Sequence, residues 1–170
     1  LISTSYSATQ KTSKESFIDN GLQFMQNREF DKAYVSFAKA IQNDPKILYR
    51  QPDLNFYMAV VLEYSADPKK QQMAVKFYQS YLSTNPSNEK RKTIAEKQVL
   101  LLPAKQSYEN GDYKAAFSYY KKAIIENPNL LKEDPSINYR IAIAADLSND
   151  PTINNQAKDY FNAYLNDKSV

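Results

Sequence analysis

Few side chains in this sequence could carry chemistry, and the missing types decide most. The 170 residues contain no His and no Cys. Imidazole bases, Ser–His–Asp triads and His-ligated metals are therefore excluded. So are thiolate nucleophiles, disulfides and the usual N/S zinc sites. Carboxylates are left. Glu63 and Asp146 occupy equivalent places in an internal repeat described below. A glycosidase-type pair needs its carboxyls roughly 5 to 9 Å apart. Two helix pairs lie between these residues, so a separation of about 20 Å is expected from helix spacings near 8–10 Å. No acid–base pair at workable geometry is expected, no cofactor or metal ligand set is legible, and the chain reads as non-enzymatic.

Two further groups could bind rather than react. Lys90, Arg91, Lys92 and Lys97 form a basic run that could touch phosphate or anionic lipid. No aromatic stacking platform accompanies it, and a net charge of +3 is small, so no nucleic-acid partner is expected. The run reads as the solvated face of a connecting helix. There are fourteen tyrosines. Tyr78, Tyr81, Tyr113, Tyr120, Tyr160 and Tyr164 fall at repeat-core places, which inter-helix packing explains. Tyr34, Tyr49, Tyr57 and Tyr119 have no such assignment and are candidate contact residues.

The elements that position these groups follow from composition and repetition. Hydrophobic residues make up 42% of the chain and charged residues 24%, a globular balance. Two glycines and eight prolines favour long helices with proline punctuation over a many-turned β fold. No run of 18 apolar residues exists, so no membrane span is expected. Residues 1–11 are Ser/Thr-rich without periodicity and read as a flexible lead-in. The start at Leu1 is read as a processed or truncated chain, with an upstream export signal or anchor left open.

Shifted by 83 residues, Asn27–Leu82 falls on Asn110–Leu165 without a gap, with 16 identities in 56 positions. Chance would give roughly one in fifteen. Ala33/Ala116, Ala40/Ala123, Pro45/Pro128, Asn55/Asn138, Ala59/Ala142, Asp67/Asp150, Pro68/Pro151 and Tyr81/Tyr164 are among them. Each unit divides again. Phe17, Gly21 and Phe24 precede Ala33, Phe37, Ala40 and Pro45, with a large, a small and an aromatic residue on a first helix and the rest on a second. Gly21 and Ala33 allow close approach, and Pro45 stops the second helix. Leu100, Ala104, Ala116, Tyr120, Ala123 and Pro128 repeat the frame. Ala59, Leu62, Ala74, Tyr78, Tyr81 and Pro86 keep it in the second repeat, and Ala142, Ala145, Ala157, Phe161 and Tyr164 in the fourth. In these even repeats the spacing is three residues longer, and Asp67-Pro68 and Asp150-Pro151 fill it as N-cap and first helical residue.

These residues resemble the tetratricopeptide repeat family, over about residues 12 to 167. The resemblance implies an all-α fold, an α-solenoid of antiparallel helix pairs wound as a right-handed superhelix. One domain is expected over 12–170, with repeats near 14–47, 52–88, 97–130 and 135–167. Eight helices are expected near 12–26, 29–43, 52–65, 68–84, 88–109, 112–127, 135–148 and 151–167. Thr12 and Glu15 form a capping box for the first. Pro103 should kink or shorten the fifth.

In the family the first helix of each pair lines a concave face. Carried over, the groove positions are Ile18, Leu22 and Met25, then Phe56, Val60 and Glu63, then Leu101, Lys105 and Tyr108, then Tyr139, Ile143 and Asp146. The expected function is a non-catalytic scaffold that takes a protein or peptide partner in a largely apolar groove. Packing of the same side chains against neighbouring helices or the lead-in is the competing reading. The family's carboxylate clamp for chaperone tails needs Lys and Asn at places held here by Ile18, Leu22 and Tyr57, so that chemistry is not expected. An alternative role is structural: a self-associating or homo-oligomeric component of a bacterial envelope or secretion assembly. The stretch from Phe77 to Pro86 is similar to repeats of outer-membrane assembly lipoproteins. A cell-envelope location, periplasmic or lipid-anchored, is set ahead of a cytoplasmic one on that basis.

Overall fold

The structure is a computed structural model and describes residues 16–168. The lead-in and the Thr12–Glu15 capping box lie outside the described residues. The chain is all-α, a helical-repeat arrangement in which consecutive helices pack on one another, with no strand among the described residues. Its elements are α1 (16–26), α2 (Phe30–Asn43), α3 (Ile47–Arg50), α4 (Asp53–Glu63), α5 (Pro68–Ser83) and α6 (Glu89–Glu109). They continue as α7 (Tyr113–Glu126), α8 (Asn129–Glu133), α9 (Ser136–Leu147), α10 (Pro151–Asn154) and α11 (Ala157–Lys168). Packing gathers them into two compact units, one through Ala95 and one from Glu96, so the division falls inside α6.

Local chemistry sets the ends. Asp67 and Asp150 accept from the backbone N–H two residues on, at 2.9 and 3.0 Å, with proline at the first helical position of each helix. Asp112 caps α7 through Ala115 N–H at 3.0 Å. Each such cap contributes about 1 kcal/mol. The turn after α1 and the turn inside the second unit are the same turn. Arg28 and Gly111, 83 residues apart, both have positive φ, 59° and 78°. Glu29 N–H reaches the Phe24 carbonyl, and Asp112 N–H the Ser107 carbonyl, closing both helices in a Schellman pattern.

The first unit's core is built on Ala33, Phe37, Ala40, Leu54, Ala59, Leu62, Ala74, Tyr78 and Tyr81, all fully or nearly fully buried. Gly21 shows why a small residue belongs there: a Cβ at that place would sit 2.3 Å from the Phe37 ring. The second unit buries the equivalent residues, among them Ala116, Tyr120, Ala123, Ile137, Ala142, Ala145 and Ala157. Leu101 and Ala104 of α6 join that core.

Two local features differ from the sequence expectation, and at Pro103 one of two expected effects is excluded. Two short helices, α3 and α8, occupy the connections after Pro45 and Pro128, and each seats one apolar side chain, Ile47 or Leu130, in the core. The last expected helix is two, α10 and α11, separated by a turn at Asn155–Gln156. α6 runs through Pro103 to Glu109 and is not shortened there.

Candidate functional site

The first helices of the pairs carry the groove candidates, and the structure separates them. On α1, Ile18 is buried while Leu22 and Met25 are half-buried. On α4, Val60 is half-buried, but Phe56 and Glu63 are buried. Phe56 packs its ring against Tyr78 and Tyr81 of α5, with centroids 5.8 and 5.3 Å away. Glu63 accepts a hydrogen bond from the Tyr78 hydroxyl at 2.9 Å inside the unit. Ile18, Phe56 and Glu63 are thus core side chains, not lining of an open face. A helical step of one residue was enough to turn them from the solvent side onto the neighbouring helix.

In the second unit Leu101 is also buried. Lys105, Tyr108 and Ile143 are half-buried, and Tyr108 meets Tyr113 edge-on at 5.3 Å. Tyr139 is exposed over 45% of its surface and rests against Phe161 and Tyr164 of α11. Asp146 is exposed. Its counterpart Glu63 has a tyrosine partner, whereas the residue equivalent to Tyr78 is Phe161, which has no hydroxyl to offer. The two carboxylates lie in different units, one committed to a buried hydrogen bond and one in solvent.

Electrostatics follow burial. The Tyr78 phenol is pushed far above its ordinary value, first by burial and then by the charge of Glu63. Burial also raises Tyr81, whose hydroxyl is enclosed and has no hydrogen-bond partner among the described residues. Lys114 donates to Asp150 at 2.8 Å, and that bond holds the Asp150 carboxyl below its usual range.

The basic run is only partly a solvated face. Arg91 is ion-paired with Asp53 and donates to the Tyr57 hydroxyl at 2.7 Å. Its guanidinium also lies 5.0 Å from the Tyr57 ring centre. Lys97 pairs with Glu133 at 3.6 Å, and Lys90 is exposed. Of the unassigned tyrosines, Tyr57 holds Arg91 and Tyr34 lies under Lys70 at 4.6 Å, while Tyr49 and Tyr119 are exposed. Sequence reasoning named Arg91 in the basic run but missed its partners on α4. The available signal was an aromatic-acid pair, Asp53 and Tyr57, on one face of α4.

A shallow depression of about 370 Å³ lies where Arg28–Lys32 meets Tyr64 and Ala66. Its floor is the Phe30–Tyr64 stack, with centroids 4.8 Å apart. Of the charges that line it, Glu29 pairs with Lys32 and Asp31 with Lys70, while Arg28 is exposed. Among the described residues no cluster of three or more His, Cys, Asp or Glu could hold a metal ion. No helix among them is long and apolar enough to cross a membrane. Compared with protein-family models the chain matches none, and compared with curated proteins it again finds no match.

Proposed function

We propose that this chain is a non-catalytic interaction scaffold of the tetratricopeptide type, taking a protein or peptide segment on the first helices of its pairs. The observation that carries this reading is the partial exposure of Leu22 and Met25 on α1 and Val60 on α4. Apolar side chains left half in water on two helices of one unit favour a partner that would cover them. The charged groups nearby are engaged elsewhere, Glu63 with Tyr78 and Arg91 with Asp53. What distinguishes one partner from another on such a face is its side-chain pattern, not a reacting group.

The test is selection of binders from a displayed random-peptide library against the intact protein. Leu22→Asp and Val60→Asp should each abolish binding of the selected peptides, with helicity and melting retained. Peptides that bind both variants as well as the parent chain would contradict the reading.

A further inference from the structure

Both units carry the same aromatic triad. Phe56 meets Tyr78 and Tyr81 at 5.8 and 5.3 Å. Eighty-three residues on, Tyr139 meets Phe161 and Tyr164 at 5.9 and 5.3 Å. The rings and spacings agree, but the exposure does not. Phe56 is 7% exposed and Tyr139 45%. Leu82 is half-buried, while its counterpart Leu165 is 60% exposed.

The first turns of α6 cover the first triad. Arg91 lies over Phe56 at 5.9 Å and Tyr57 at 5.0 Å and pairs with Asp53, and one turn later Ala95 is fully buried. Over the second triad, Tyr139 and Leu165 stay open to solvent instead. Its polar positions have also changed: Asp53 corresponds to Ser136, and Tyr57 to Arg140. Arg140 is exposed, and it forms no ion pair with a carboxylate among the described residues. The face has kept its rings and exchanged an acid for a cation.

We propose that the α9/α11 face is a docking site for an amphipathic helix of a protein partner, seated as residues 89–95 sit on α4 and α5. That helix carries a carboxylate in the place of Arg91, facing Arg140, and a small residue in the place of Ala95. Ring burial supplies the attraction, and the carboxylate–guanidinium pair sets the partner's charge. A second copy of this chain fits poorly, because its own 89–95 segment would bring Arg91, already held by Asp53, against another arginine. The inference deepens the scaffold reading but uses a different face from Leu22 and Val60, so each can fail without the other.

The probe is a helix-stapled peptide of residues 86–99, linked across the exposed positions 90 and 94, in two forms: with Arg91 and with Arg91→Glu. Fluorescence anisotropy against the intact protein should show the Arg91→Glu peptide binding at least tenfold more tightly. Tyr139→Asp should weaken it at least tenfold, and Leu22→Asp should leave it unchanged. Arg140→Glu, an exposed substitution, should reverse the preference between the two peptides. Absence of binding by either peptide, binding that survives Tyr139→Asp, or an unreversed preference would overturn the proposal. A wild-type dimer in sedimentation equilibrium that Tyr139→Asp converts to monomer would overturn it too, by naming a second copy as the occupant.

Discussion

Glu63 and Tyr78 show how one substitution between repeats changes what a side chain can do. In the first unit the carboxylate is enclosed and receives the phenol proton donor at 2.9 Å. In the second, the pair has become Asp146 and Phe161, and the acid faces water. Burial and the Glu63 charge raise the Tyr78 pKa. The folded state therefore keeps a proton that the unfolded chain releases near pH 10. The contribution is fully present below that pH and is lost as pH rises beyond it. Denaturant unfolding from pH 8 to 11.5 should show stability falling above about pH 10. Tyr78→Phe should lose about 1–3 kcal/mol at pH 8, because a buried acceptor forfeits its donor. Its alkaline slope should be shallower, though not flat, since Tyr81, Tyr120 and Tyr160 are raised as well. Equal slopes for the two proteins would contradict the assignment.

Between elements, the approach of α1 to α2 depends on Gly21. Alanine there gains about 1 kcal/mol of helix propensity. Against that, its Cβ would overlap the Phe37 ring, which is fully buried and has little room to shift. Overpacking of this kind costs about 1–3 kcal/mol. Gly21→Ala should therefore lower the melting temperature by several degrees, and an unchanged or higher one would show that the helices separate freely. This contact was legible in the sequence, as were most helix ends, because Gly, Pro and Asp act through local sterics and capping. The short α3 and α8 were not legible, since four or five residues show no periodicity. The break between α10 and α11 has no proline or glycine, only the polar pair Asn154-Asn155 as a hint. Face assignment was the weaker part of the site. Phe56 and Glu63 have partners on α5, in Tyr78 and Tyr81, and helical stepping within α4 cannot say which side that helix occupies. The role of Arg91 was hidden for the same reason: its partners Asp53 and Tyr57 lie 38 and 34 residues away.

For the molecule as a whole, one helix-pair design is used repeatedly and then varied at its surface. Many core positions hold their size across 83 residues, as Ala33/Ala116, Leu54/Ile137 and Ala59/Ala142 do, although Leu62 becomes Ala145. The solvent-facing positions do not: Tyr57 becomes Arg140, and Arg28 becomes Gly111. Constant cores with variable faces suit recognition of partners, the role proposed here. The most direct measurement is backbone chemical-shift mapping of the intact, isotope-labelled protein titrated with a library-selected peptide. Perturbed amides should concentrate on α1 and α4, around Leu22, Met25 and Val60. Perturbations confined to α2 and α5, with α1 and α4 silent, would contradict it.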